Sequence, residues 1–410
     1  MIKCALLIFC TLSVAHGAEW CLKPEPISAS VAETPAEKST SETPKDTPKC
    51  SLESPELVTG LLVNGTQDRN ADLLPSWVNL TLATQGQKWA SENIPLISGS
   101  HIFGLMFVLA FPDLNAVLLF TNQSDTGNLA MKRYASTIQQ VNTWYNGSLK
   151  ESTDDNDILS SLLRVRGLHT AAMKAGNERM HGENPRPLIN KELYERVQID
   201  EGMWKAFETD LKNSDVPEKS RKVPEKYFGR DGKFFAVNQF QQAMTQFAFI
   251  GFPVLFPERI FLIDAKDEDL VAFNHLWAVL GHALGIEDEY NIALQPDLKT
   301  TKEYYQHIYE NWYLPQIFNL DFHTKVLMEA QLQGFEKIDD ILTPRTLLLR
   351  LLRDIVKIPV PNMTRELTPK DHAKMLQFHA KGLHGFVSKI AGDFRENLKS
   401  KIQGFLSRLP

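Results

Sequence analysis

Apolar residues recur at helical spacing over most of the chain, and the clearest case is the stretch Asp157 to Met173. Its apolar stripe advances in steps of four, three, four and three residues: Ile158, Leu162, Val165, His169 and Ala172. This spacing predicts an amphipathic helix that carries His169 in its apolar stripe rather than on its polar face. Arg166 lies one turn before His169 and places a cation beside the same surface.

The rest of the chain after the first sixty residues repeats this period, without sustained alternation of apolar and polar residues. The segment His101 to Ala110 is apolar on every side, which predicts a buried helix. Further helices are predicted over residues 125–144, 234–250, 267–285, 302–319, 323–335 and 343–355. The pattern therefore predicts an all-α fold with one large multi-helix domain.

The two ends of the chain differ from this middle part. Residues 1–17 combine Lys3, a short apolar run and the small-residue site Ala15-His16-Gly17, as in a secretory signal peptide. Residues 18–60 are rich in Pro, Ser, Thr and Glu and predict a disordered arm. The helical domain is expected over 61–365, followed by an amphipathic segment over 366–410. That segment either contacts a membrane surface or packs on the domain, because both give the same pattern.

Export is consistent with the cysteines and the glycosylation motifs. After removal of the signal peptide only Cys21 and Cys50 remain, and in an oxidising compartment they most simply form a disulfide. The alternative is two free thiols. Acceptor motifs for N-linked glycans occur at Asn64, Asn79, Asn122, Asn146 and Asn362. We therefore expect a secreted glycoprotein, with residence in the ER lumen as the other option.

Composition removes several classes of function. The net charge of −6 gives no basic field for nucleic acid. The chain has no Gly-x-Ser-x-Gly elbow, no phosphate-binding glycine loop and no mature cysteine in a nucleophile setting. His275 and His282 lie two helical turns apart and leave open a zinc site, although apolar residues fill the turns between them.

His169 itself has two interpretations. A histidine in an apolar surround beside an arginine suits an axial heme ligand, because heme joins an apolar ring to anionic propionates. A hydrogen-bonded core histidine produces the same pattern. Spacing alone does not separate them.

Four segments, in order, resemble the family that unites bacterial rubber oxygenases (latex-clearing proteins) with the ER-bound oxygenase of mycophenolic acid biosynthesis. The segments are TNQSDTGNLAMKRYAST, RVRGLHTAAM, VNQFQQAMTQFAF and FNHLWAVLGHALGIEDEYN, and they span about residues 120–291. The resemblance implies a heme b cofactor with His169 as its proximal ligand. It implies that Arg133 and Thr137 line the distal side, and it adds Arg166, Asn238, Gln239 and Thr245 as cofactor-binding residues.

The resemblance implies a function and also shows three departures. The expected activity is oxidation or cleavage of an unsaturated, isoprenoid-like substrate by dioxygen. The departures are Ser136 where rubber oxygenase has a lysine, Gln241 where the family has an aspartate, and a longer stretch over 174–233. They leave open a rival in which the protein is a non-catalytic carrier of heme or of an apolar ligand.

Overall fold

The computed structural model describes residues 55–66, 74–149, 158–189, 194, 197–225, 234–378 and 380. Within these ranges the secondary structure is helical and contains no β-strand, apart from one isolated bridge between Asn64 and Asn238. The predicted all-α fold class is confirmed. The signal peptide, Cys21, Cys50 and most of the predicted arm lie outside the described residues.

The α-helices follow one another with short connections, several of which are 3₁₀ turns. In chain order they are α1 (Pro55–Thr59), α2 (Leu80–Glu92), α3 (Ile94–Leu109), α4 (Pro112–Phe120), α5 (Gly127–Asn146), α6 (Ile158–His181), α7 (Glu201–Lys212), α8 (Gln239–Leu255), α9 (Asp267–Ala283), α10 (Leu298–Ile308), α11 (Leu314–Ile317), α12 (Phe322–Ile338), α13 (Pro344–Arg350) and α14 (Pro361–Arg365). A further helix covers 369–378. Two π-helical stretches, Tyr309–Tyr313 and Leu351–Val356, continue α10 and α13.

Short polar side chains set where many of these helices begin. Each accepts a hydrogen bond from a backbone amide in the first turn, which satisfies a donor that has no partner inside the helix. These N-caps are Asn79, Thr126, Asp200, Asn238, Asp297, Asp321 and Thr343.

The core lies between three extensively packed helix pairs: α2 with α9, α3 with α8, and α5 with α12. Two glycines allow the first two pairs to approach closely. A Cβ atom at Gly86 would lie 2.2 Å from the Ala272 carbonyl oxygen, and one at Gly104 would lie 1.9 Å from the Ala248 carbonyl oxygen. Both distances are far below van der Waals contact, so the backbones meet where no side chain fits.

Gly104→Ala is therefore expected to destabilise the fold by about 3 kcal/mol or more, because helix backbone must move to admit the methyl group. Gly99→Ala on the same helix is the matched control, since a Cβ there meets nothing within 4 Å. That control should be neutral or slightly stabilising. Urea unfolding of both variants measures the difference, and equal midpoints would contradict the proposed close approach.

Packing begins earlier in the chain than the sequence predicts. Leu57 and Val58 of α1 are buried at 2% and 3% exposure and belong to the main core. The predicted start of the helical domain at residue 61 is thus too late, because two apolar side chains at the end of the arm pack against the core. Residues 55–60 belong to the helical domain.

The described part of the C-terminal segment packs on the domain. Asp371 is buried and accepts hydrogen bonds from the side chains of Thr343 and Thr368. Met375 packs against the main core, while Leu376 on the opposite side is 72% exposed. The remainder of the predicted amphipathic segment lies outside the described residues.

Among the helices that the structure describes, none alone has both the length and the apolar composition to cross a membrane. α2 and α3 satisfy the criteria only as a pair, with a bend of 93° between them.

Candidate functional site

The helix that carries His169 forms as predicted and runs from Ile158 to His181. Ile158 and Leu162 are buried, whereas Val165 and His169 further along the stripe are half-buried. The Nδ1 atom of His169 lies 3.2 Å from Nε2 of Gln242 on α8. The same Gln242 amide donates to the Gly65 carbonyl oxygen at 3.2 Å, which fixes its orientation.

Arg133 on α5 lies within electrostatic reach of His169. Desolvation, with a further contribution from the Arg133 charge, lowers the pKa of His169 to about 4. Desolvation also lowers the pKa of Arg133 itself. Among the described residues its guanidinium has no hydrogen bond or ion pair. The structure thus brings a neutral imidazole of α6 near a cation of the preceding helix, α5.

Thr137, one turn after Arg133, links this pair to a cavity. Its Oγ1 donates to the Arg133 carbonyl oxygen at 3.1 Å, and its side chain lines a cavity of about 390 Å³. Tyr134 lines the same cavity, and its buried hydroxyl has no hydrogen-bond partner among the described residues. Ser136, by contrast, is exposed.

The cavity lies between α3, α5, α8 and α12, and its walls are mostly apolar. Phe103, Ile138, Val141, Phe249 and Phe335 are among the residues that form it. Its volume falls within the range of roughly 300–1,000 Å³ typical of small-molecule sites. The sequence pattern did not indicate that α3 and α12 contribute to this cavity.

A buried polar chain crosses the wall of this cavity, and the sequence did not predict it. Trp277 Nε1 donates to the Tyr145 hydroxyl at 3.2 Å, and that hydroxyl lies 3.4 Å from Nε2 of His101. His101 lines the cavity and also bonds to the backbone of Phe249. Desolvation lowers the pKa of His101 to about 3, so the imidazole is neutral and accepts from Tyr145. The only signal in the sequence is one histidine inside an otherwise apolar helix.

The hydrogen-bonded chain through His101 predicts that the folded state loses stability in acid. Because the pKa of His101 falls from 6.5 to about 3 on folding, the unfolded chain binds more protons between these values. Stability therefore decreases as the pH falls below 6.5, by about 3 kcal/mol between pH 7 and pH 4. Urea unfolding at both pH values should show a smaller loss in His101→Gln, which keeps an acceptor for Tyr145 but does not titrate.

Comparing the pH dependence of stability in the unmodified protein and in His101→Gln separates the contribution of His101 from those of other titratable groups. Desolvation raises the pKa of Asp113 to about 6, which acts in the opposite direction, because the folded state then holds a proton more tightly. Asp113 is present in both proteins, as is His169, so their contributions cancel in the difference. An unchanged pH dependence in His101→Gln would contradict the prediction.

Asn238 and Gln239, predicted to bind the cofactor, are fully buried and engaged with the protein. Asn238 caps α8 and accepts from the Gln241 amide at 2.8 Å. Gln239 donates to the carbonyl oxygens of Asn64 and Gly285 and accepts from the Glu287 amide. Their polar atoms hold the start of α8 against neighbouring segments and thereby position Gln242.

The structure also places Arg166, Thr245 and Gln241, the other residues that the resemblance concerns. Arg166 is buried one turn before His169. Thr245 is half-buried and donates to the Gln241 carbonyl oxygen at 2.8 Å. Gln241, where the family has an aspartate, donates to Asp113 at 3.0 Å across the α4–α8 contact.

His275 and His282 enclose an aromatic ring instead of facing each other. Trp77 lies edge-on to both imidazoles, with ring centroids 6.0 and 5.8 Å away. His275 Nε2 accepts the Asn79 backbone amide at 2.9 Å, and His282 Nδ1 lies 3.4 Å from Asp288 Oδ1. Among the residues that the structure describes, no group of three or more His, Cys, Asp or Glu side chains is arranged to hold a metal ion. This arrangement gives the zinc hypothesis no support.

The predicted glycan acceptors differ in accessibility. The side chains of Asn64, Asn79, Asn122 and Asn146 belong to exposed residues. Asn362 is half-buried, and its Nδ2 donates to Asp210 at 2.7 Å. A glycan on Asn362 would compete with this contact, so the other four are the better candidates.

No protein-family model, no curated protein and no solved structure matches the chain. The fold defines an all-α domain, and its function has to be inferred from the residues around His169 and the adjacent cavity.

Proposed function

We propose that this protein is a secreted, heme b-dependent oxygenase that uses dioxygen to oxidise or cleave an unsaturated apolar substrate. One observation supports the proposal: Arg133 and His169, two residues matched to the oxygenase motifs, lie within electrostatic reach of each other on the consecutive helices α5 and α6.

The residues present suit a heme group. A pKa of about 4 leaves the His169 imidazole neutral at pH 7, and only the neutral form offers a lone pair to iron. Arg133 and Arg166 are cations close to this imidazole and would compensate anionic propionates or developing negative charge. Arg133 is half-buried and its guanidinium has no hydrogen bond or ion pair among the described residues, so it is available to such a group.

The side-chain amide of Gln242 would have to reorient before Nε2 of His169 could bind iron. As oriented, the Gln242 amide donates to Nδ1 of His169, which leaves the proton on Nε2. Rotation of the amide by half a turn would let its oxygen accept from Nδ1–H and free Nε2 for the iron. The cost is the hydrogen bond to Gly65.

The remaining residues supply position and environment. Heme iron, when bound, supplies the redox chemistry that activates dioxygen. Arg133 would donate to negative charge on the distal side, where a dry surround strengthens such interactions. Thr137 lies at the border between Arg133 and the cavity, whose apolar walls exclude water and would hold a chain-like substrate.

The absorption spectrum of the purified secreted protein, together with its metal content, tests the proposal. Iron in a heme spectrum supports it, and a protein that purifies without heme and does not take it up would refute it. Dioxygen uptake with a panel of unsaturated lipids then separates catalysis from binding.

A non-catalytic carrier is the second candidate. The exposed position of Ser136 favours it, because the lysine of rubber oxygenases has no counterpart pointing to the site. Heme binding without dioxygen uptake for any member of the lipid panel would identify the carrier.

A further inference from the structure

A buried arginine borders the cavity, and one of its hydrogen-bond donors has no partner among the described residues. Arg350 of α13 lines the cavity and is only 3% exposed. Its Nε donates to Asp354 at 2.9 Å, while Nη1 has no hydrogen-bond partner among the described residues. A buried guanidinium nitrogen without a partner is costly, which indicates a polar group that the protein itself does not supply.

Among the described residues, the ion pairs of Arg350 do not balance its charge. Asp354 also accepts two hydrogen bonds from Arg353, so one carboxylate serves two guanidinium groups. The faces of Phe103 and Phe378 lie 5.5 and 3.6 Å from the Arg350 guanidinium carbon, and they shield it from water. One positive charge therefore remains in a setting where a single anion would gain more than it does in water.

The rest of the cavity defines the other part of the ligand. Its wall consists mainly of aliphatic and aromatic side chains, and the Tyr134 hydroxyl is a second buried donor without a partner. The carboxylates in the wall, Glu92 and Asp339, belong to solvent-accessible residues, in contrast to the buried Arg350. An apolar tail with one anionic head matches these features, whereas a neutral hydrocarbon leaves Arg350 unsatisfied.

We infer that this cavity is a binding site for a long-chain carboxylic acid, with its carboxylate paired to the Arg350 guanidinium and its hydrocarbon tail along the apolar wall between α3, α5 and α12. The inference does not depend on heme or on catalysis, and it applies equally to an oxygenase and to a carrier.

A matched pair of ligands tests the role of the carboxylate. Calorimetric titration of the purified protein with oleate and with oleyl alcohol, below their aggregation concentrations, should show oleate binding at least about tenfold more tightly. This comparison needs no variant. Equal affinities, or no binding of either ligand, would overturn the inference.

Two arginines on the same stretch allow a matched control. Arg350→Gln should weaken oleate binding by roughly 10- to 100-fold and leave oleyl alcohol nearly unchanged, so the preference is lost. Arg353→Gln does not line the cavity and leaves the unused donor of Arg350 in place, but it lets Asp354 balance Arg350 alone, so it should weaken oleate binding much less than Arg350→Gln does. A preference that survives Arg350→Gln in a protein with unchanged circular dichroism would place the carboxylate elsewhere.

A third variant tests the location of the tail. Val141→Trp narrows the cavity from α5 and, in a protein with unchanged circular dichroism, should weaken both ligands together. If both ligands bind Val141→Trp as they bind the unmodified protein, the site is not this cavity. Because the readout is heat of ligand binding, these outcomes are independent of the heme spectrum that tests the proposed function.

Discussion

His169→Ala is expected to abolish heme retention while the helical fold survives. The imidazole is the only axial ligand that the resemblance provides, and its low pKa keeps it neutral and available at pH 7. Since His169 is half-buried and makes one side-chain hydrogen bond, to Gln242, its truncation should cost little stability. Heme content relative to protein, measured from the absorption spectrum, and circular dichroism report the two effects separately.

Two histidines on α9 are the matched controls. His275→Ala and His282→Ala should keep heme, because their nitrogens face Asn79 and Asp288 at the α2–α9 side of the domain. Free imidazole added to His169→Ala should restore part of the heme binding, which a merely structural role would not predict. Full heme occupancy in purified His169→Ala would remove the ligand assignment.

Helical periodicity predicted the long elements well, because the buried face of a helix is a local property of the sequence. α9 was expected over 267–285 and is observed over Asp267–Ala283. The helix with His169 was expected to bury Ile158 and Leu162, and both are nearly inaccessible. The all-α fold class follows from the same pattern.

The start of α8 shows where periodicity fails. A helix was predicted from residue 234, but it begins at Gln239. The preceding residues instead bond to a distant segment: the Phe235 amide donates to the Leu61 carbonyl oxygen, and the Val237 carbonyl oxygen accepts from the Gly65 amide. Such long-range backbone pairing overrides local propensity and leaves no trace in a sequence window.

The candidate site was predicted in part. The resemblance named Arg133, Thr137 and His169, and the structure places Arg133 within electrostatic reach of His169 and Thr137 on the cavity wall. The partnership of Gln242 with His169 was not predicted, and neither was the role of Arg350. A charged residue within the apolar run LLLRLL is a signal that the sequence does contain. That one nitrogen of the Arg350 guanidinium has no partner, however, depends on how several distant elements pack around it.

If the protein binds heme as proposed, the residues expected on the distal side determine what its spectrum should show. Ser136 is exposed and too short to reach iron, and neither arginine nor threonine is an ordinary iron ligand. The ferric protein should therefore be five-coordinate or water-bound, high-spin, and open to imidazole and cyanide. A low-spin, six-coordinate spectrum of the unmodified protein would reveal a protein ligand that this arrangement does not contain.

Arg133→Ala is expected to lower turnover about a hundredfold or more while heme content stays nearly unchanged. A single well-placed donor to developing negative charge typically contributes this much, about 3 kcal/mol, in a site that excludes water. Arg133 meets the conditions, because desolvation lowers its pKa and no described residue pairs with its guanidinium. The rate of dioxygen uptake per heme, measured with a lipid that supports turnover, gives the size of the effect.

Lys132→Ala is the control for this change, since Lys132 is the neighbouring cation on α5 and is exposed to solvent. It should leave both heme content and turnover as they are, because an exposed charge is screened by water and salt. Equal turnover in Arg133→Ala and the unmodified protein would mean that Arg133 serves only to hold an anionic group. Loss of heme from Arg133→Ala would instead place its guanidinium on the propionates, and the donor on the distal side would then have to be another residue.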